Sequence, residues 1–171
     1  MSLDFKRILC PVDLSPFSLG ALQLAVKIAE TSGAALYLLH VIDTPFDELY
    51  MTAITQADPA LIELYKSEPR KRHRIVRATI ERAEILLKQF SHDSVERLPK
   101  VRYLVASGVA IEKILDAAED HRIDLIVLAT HGRTGVRRLL IGNVAEKVVR
   151  YAPCPVLTVK LRSANRKAKR L

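Results

Sequence analysis

The run Asp124-Leu125-Ile126-Val127-Leu128-Ala129 leads into Thr130-His131-Gly132-Arg133-Thr134-Gly135, and Gly142-Asn143 then opens an amphipathic segment. An apolar run of strand length, a glycine-bearing loop and a helix start, in that order, make an anion site. The first N–H groups of a helix lack intrahelical partners and carry the positive end of its dipole, so phosphates bind there. Gly132 and Gly142 have no side chain to block a phosphoryl oxygen, and Arg133, Arg137 and Arg138 add positive charge. A plainer reading uses the same residues: glycines that only make a strand-to-helix turn, and arginines that only form a solvated face. The loop alone leaves both open.

Working outward, the same alternation recurs along the chain. Arg7 to Val12 reads as a buried strand, and Ser15-Pro16 supplies an N-cap and a proline at the first helical position. Leu22, Ala25, Val26 and Ala29 form the apolar stripe of the first helix, which Gly33 ends. Ala35 to Ile42 is strand two. Residues 43–74 are longer than a tight connection needs and read as an insert, punctuated by Pro45, Pro59 and Pro69, with Asp58-Pro59 as a further helix start. Then come a helix face of Val76, Ile80, Ala83, Leu87 and Phe90, a strand from Val101 to Ala106, and a helix with Ile111, Ile114, Leu115 and Ala118. Ile123 to Ala129 is strand four. Asn143 is expected to cap a helix bearing Val144, Val148 and Val149, and Pro155 to Leu161 is strand five.

The order βαβαβαβαβ predicts an α/β fold, an open five-stranded parallel sheet with helices on both faces. Ligands of such sheets sit beyond the carboxyl ends of the strands, where the winding reverses, which sets strand one beside strand four. Asp13, just after strand one, then borders the same crevice as the Ala129 to Gly142 loop. It has a second reading of comparable weight, as a carboxylate bonding local backbone N–H groups ahead of the helix.

A chain of 171 residues with 49% hydrophobic and 27% charged residues fits one globular domain, here residues 1–161. No run is long enough to cross a membrane, and the first residues lack the long apolar stretch of a signal peptide, so a cytoplasmic protein is expected. Cys10 and Cys154, each before a proline, make neither a disulfide framework nor a zinc site and read as small buried residues. The net charge of +8 is unevenly placed: Lys160, Arg162, Arg166, Lys167, Lys169 and Arg170 occur with no acidic residue among them. Residues 162–171 are therefore read as a basic tail without fixed order. A second cluster, Arg70 to Arg74, falls at a helix start or bend after Pro69.

Neither a Gly-x-x-x-x-Gly-Lys-Ser/Thr loop nor a Gly-x-Gly-x-x-Gly turn after strand one is present. Ala129, two residues, Gly132, the nine residues Arg133 to Ile141, then Gly142-Asn143 instead match Gly-x2-Gly-x9-Gly-Ser/Thr, with substitutions at Ala129 and Asn143. With Ile8 to Asp13 and Ser15, His40-Val41, and Ala145 to Arg150 followed by Ala152 to Leu157, this resembles the universal stress protein family over nearly the whole chain. The resemblance implies a Rossmann-like sheet of the adenine nucleotide alpha hydrolase-like kind, strand order 3-2-1-4-5. It implies that ATP binds between strands one and four. Pro11, Val12 and Asp13 would hold the adenosine end, with Asp13 near the ribose or a magnesium ion, and Val41 would contact adenine through its backbone. Ala129, His131 and Gly132 would line the ribose and first phosphates, and Gly142, Asn143 and Val144 would present a helix N-terminus to the outer ones. A homodimer along Pro155 to Leu161 is implied too.

The departures bear on the site. The Cβ of Ala129 is tolerated only at negative φ, and Asn143 can cap a helix and donate to a phosphoryl oxygen. No catalytic constellation is visible: His131 and His40 stand alone, the histidines lack metal-ligand spacing, and slow ATP hydrolysis beside a magnesium on Asp13 is the most these residues support. The favoured reading is an ATP-dependent regulatory or stress-response module. The alternatives are a dimeric interaction protein that binds no nucleotide and, ranked last for want of aromatic residues near the basic clusters, a nucleic-acid-associated protein acting through its tail.

Overall fold

The computed structural model describes residues 4–42, 69–130 and 142–160. Along them run β1 (Arg7–Pro11), α1 (Pro16–Ser32), β2 (Ala35–Ile42), α2 (Pro69–Val95), β3 (Val101–Ser107), α3 (Ala110–Asp120), β4 (Leu125–Ala129), α4 (Asn143–Tyr151) and β5 (Val156–Val159). The strands form one parallel sheet in the order β3-β2-β1-β4-β5, as expected. The chain starts in the middle, winds outward through β2 to β3, then crosses back to build β4 and β5 on the other side of β1. That reversal leaves β1 and β4 side by side with their outgoing connections parting, which opens a crevice at their carboxyl ends.

Strand alternation distributes the apolar residues to two cores. Ile8, Cys10, Leu36, Leu38, Leu125 and Val127 pack under α1 and α2 with Leu22, Ala25 and Leu87. Leu9, Tyr37, Leu39, Ile126 and Leu128 pack under α3 and α4 with Ile114, Ala118, Ala145 and Val148. Both faces are therefore covered, and Ile8 to Cys10, Leu36 to Leu39 and Leu125 to Leu128 run buried through the central strands.

Local signals act where they were read. Ser15 caps α1, accepting from the Ser18 N–H at 3.4 Å, and Gly33 ends the helix at φ 68°, a left-handed conformation that glycine adopts without penalty. Other boundaries differ. β1 ends at Pro11 rather than Val12, although the Val12 N–H still donates to the Leu39 carbonyl at 2.8 Å. β4 starts at Leu125 rather than Ile123, after a turn in which Arg122 has φ 49°. β5 is confined to Val156–Val159, because its partner β4 ends at Ala129 opposite Val159; Leu161 lies outside the described residues.

α2 begins at Pro69, so residues 69–74 are helical, in keeping with a helix start after Pro69; residues 43–68, with Pro45 and Asp58-Pro59, lie outside the described residues. α4 has Gly142 as its N-cap and Asn143 as its first residue, without a side-chain cap bond, which corrects the expected role of Asn143. The physical reason is that Gly142 is extended, at φ −69° and ψ 153°, while its carbonyl already accepts the Glu146 N–H at 2.9 Å. The buried residues of α4 are Ala145 and Val148, whereas Val144 and Val149 are exposed.

Candidate functional site

The carboxyl end of β1 continues as Val12-Asp13-Leu14-Ser15, a turn whose form follows from its polar side chains. Asp13 Oδ1 accepts the Ser15 hydroxyl at 2.6 Å and the Ser15 N–H at 3.1 Å. Both bonds close the loop around Leu14, which has φ 61°, a conformation that costs a non-glycine residue about 1–2 kcal/mol. The local-bonding role considered for Asp13 is thus realised. The turn ties the carboxylate to the helix start and holds it at the mouth of the crevice.

Val12 is held from the neighbouring strand on both sides of its peptide units. Its N–H donates to the Leu39 carbonyl, and its carbonyl lies 2.9 Å from His40 Nδ1. A carbonyl can only accept, so Nδ1 carries the proton. His40 is half-buried in β2, second strand from the β3 edge, and nothing in its sequence position announces this bond to a residue 28 positions earlier. Val41 follows it, in register with Ala106 of β3.

On the other side of the crevice, Ala129 is the last residue of β4 and lies outside the left-handed region, so its Cβ is accommodated without strain. Thr130 is buried, and its N–H donates to the Val159 carbonyl at 3.0 Å. The Thr130 carbonyl accepts the Gly142 N–H at 2.7 Å, which pins the start of α4 to the end of β4. A Cβ on Gly142 would lie 2.9 Å from that carbonyl oxygen. Glycine is required here by close approach of two backbones.

That contact revises the anion site. The Gly142 N–H is engaged, so the donors ahead of the first helical bond are those of Asn143, Val144 and Ala145. Asn143 and Val144 are exposed, as a site open to a phosphate needs. His131, Gly132, Arg133, Arg137 and Arg138 lie outside the described residues. Among the described residues no three His, Cys, Asp or Glu side chains come together to hold a metal, and no helix is long and apolar enough to cross a membrane. Both thiols are protonated at neutral pH. Burial pushes Cys10 up to about 12, and burial, then the negative charge of Asp124, raises Cys154. Cys10 is fully buried, whereas Cys154 is only half-buried, contrary to expectation.

Replacing Asp13 by alanine removes the acceptor of two bonds at a strained turn and is expected to cost about 1–2 kcal/mol in thermal unfolding. Asp13→Asn keeps an oxygen at the Oδ1 position and is expected to lose less than half of that. Equal stability of wild type and alanine variant would show that the turn does not depend on the carboxylate.

The universal stress protein family model matches residues 4–160. Universal stress protein MJ0531 of Methanocaldococcus jannaschii is 34% identical over 157 residues, covering 91% of this chain and 82% of that protein. The solved structure of MJ0577 from the same organism shares 25% identity and aligns over 95% of this chain and all of its own, with a TM-score of 0.71. An Arabidopsis thaliana universal stress protein family structure with AMP bound shares the fold at 18% identity, covering 96% of this chain and 97% of its own with a TM-score of 0.57. The family match over nearly the full length, the sheet order and the glycine-spaced junction of β4 and α4 agree: the chain belongs to the universal stress protein family.

Proposed function

We propose that this protein is an ATP-binding regulatory module of the stress response, acting in the cytosol as a homodimer, with ATP in the crevice between β1 and β4. The observation that carries the reading is the junction itself. The strained Val12 to Ser15 turn, the end of β4 and the N-terminus of α4 border one crevice, where the winding reverses and the helix offers N–H groups without intrahelical partners. Pro11, Val12, Asp13 and Val41 would take the adenosine end. Ala129, His131 and Gly132 would line the ribose and first phosphates, and Asn143 and Val144 would donate to the outer ones, with Gly142 setting the position of the helix. AMP bound by the plant protein of the same fold supports an adenine nucleotide as the ligand class. A magnesium ion on Asp13 would neutralise phosphate charge and take its other ligands from phosphate and water.

Calorimetric titration of the full chain with ATP and magnesium at physiological salt, with GTP as control, tests this. Micromolar binding at one ATP per chain is expected. No heat from nucleotide-free protein would overturn the reading and favour the nucleotide-independent dimer.

The position of β5 supports the dimer. It is an edge strand, whose unpaired N–H and C=O groups are blunted by pairing with a second copy. Leu157 is 36% exposed on it, beside a cavity of about 740 Å³ that Phe5, Ile28, Leu125 and Val156 also line. Leu157→Lys would bring like charges together across a two-fold axis and is expected to weaken self-association about tenfold or more. Sedimentation equilibrium reads this, and an unchanged dimer would move the interface elsewhere.

A further inference from the structure

We infer that His40 is a positioning residue for adenine recognition: by engaging the Val12 carbonyl, its ring leaves the main-chain N–H of Val41 for an acceptor atom on the base. The inference rests on the nucleotide reading above and names a residue to which that reading gives no part.

The hydrogen-bond ladder supplies the argument. The Ala35 N–H donates to Lys6 on the β1 side, whereas the Leu36 N–H donates to Lys100 on the β3 side, and the Ile42 carbonyl accepts Gly108 from the β3 side. Alternation therefore turns the N–H groups of odd-numbered residues of β2 toward β1. For Val41 the next ladder position is Val12, since the register pairs Pro11 with Leu39 and the Val12 N–H donates to the Leu39 carbonyl. A regular strand would be extended by a bond from the Val41 N–H to the Val12 carbonyl. His40 Nδ1 takes that carbonyl instead, at 2.9 Å.

The substitution has two consequences. The Val12 carbonyl is satisfied without lengthening the sheet, and the Val41 N–H, which meets no backbone acceptor among the described residues, is directed at the edge of the crevice. An acceptor nitrogen in the plane of a purine ring is the chemistry that such a lone main-chain donor recognises. Adenine offers ring nitrogens of this kind. The bond also steadies the peptide that carries Asp13, whose carboxylate is locked onto Ser15 two residues on.

The experiment compares wild type with His40→Ala and His40→Asn, in which the asparagine amide nitrogen takes the place of Nδ1. Affinities for adenosine, AMP and ATP are measured by calorimetry, and exchange of the Val41 amide is followed by NMR without ligand. His40→Ala is expected to weaken all three ligands by a similar factor, about tenfold, because the Val12 carbonyl then captures the Val41 donor and the competent arrangement is populated only in part. The Val41 amide should exchange more slowly in that variant than in wild type, and His40→Asn should restore both properties. Unchanged affinity and unchanged Val41 exchange in His40→Ala, or a loss of thermal stability without either effect, would overturn the inference. Wild-type protein that binds no adenine nucleotide would instead refute the parent reading, and with it the recognition role, while the exchange measurement would still report whether His40 withholds the carbonyl from Val41.

Discussion

Gly142→Val is expected to abolish ATP binding while the far-UV helical signal persists. A Cβ at this position would stand 2.9 Å from the Thr130 carbonyl oxygen, a backbone atom that cannot rotate aside. Either the 2.7 Å bond between the Gly142 N–H and that carbonyl breaks, or the first turn of α4 moves off the end of β4. Both displace the N–H groups of Asn143 and Val144 from the crevice, and a shift of about 1 Å in such a donor array is enough to lose its ligand. The same crowding is expected to lower stability by about 1–3 kcal/mol. Ala145 and Val148 still anchor the helix to the core, so the helix itself survives. Calorimetry and thermal unfolding on one preparation check both effects. Full affinity in the valine variant would remove the helix start from the ligand site.

Cys10 sets the second large effect, at alkaline pH. Its thiol is completely buried in the core beneath α1, and burial raises it from 9.0 to about 12. Above the unfolded-chain value the unfolded chain releases this proton and the folded chain does not. Stability from the neutral thiol is thus fully present below about pH 9 and is lost as pH rises toward the folded value. The loss amounts to about 1.4 kcal/mol per pH unit, on the order of 4 kcal/mol at the top of the window. Cys10→Ala lacks the group and keeps Cys154 and every other titrating residue. The stability advantage of wild type over the variant should therefore shrink at that rate in urea titrations above pH 9. Parallel curves would mean that the thiol ionises in the folded protein as it does in the unfolded chain.

Much of the framework around the crevice is legible in the sequence, because it rests on local chemistry. Ser15 and Pro16 start a helix whatever surrounds them, and Gly33 ends one by taking a conformation that other residues resist. Ala129 falling at a strand end with ordinary φ could be stated as a condition, and the structure meets it. Asp13 could be given two roles but not one. The choice lay with Ser15, two residues away, whose hydroxyl and N–H both reach its carboxylate.

The full strand order was implied by the family resemblance; what the residues determined alone is the α/β alternation, a parallel sheet covered by helices on both faces, and strand one beside strand four. Each follows from hydrophobic period and connection length, quantities carried by neighbours in the chain. Only the tertiary structure decided that His40 meets the Val12 carbonyl, that the Asp124 carboxylate accepts the N–H groups of Lys6 and Arg7, and that Thr130 takes the Gly142 donor. It also decided that Ala145 and Val148, rather than Val144 and Val149, face the core. These are pairings between groups distant along the chain, and a bond that depends on where two strands end leaves no period or spacing in the residues that make it.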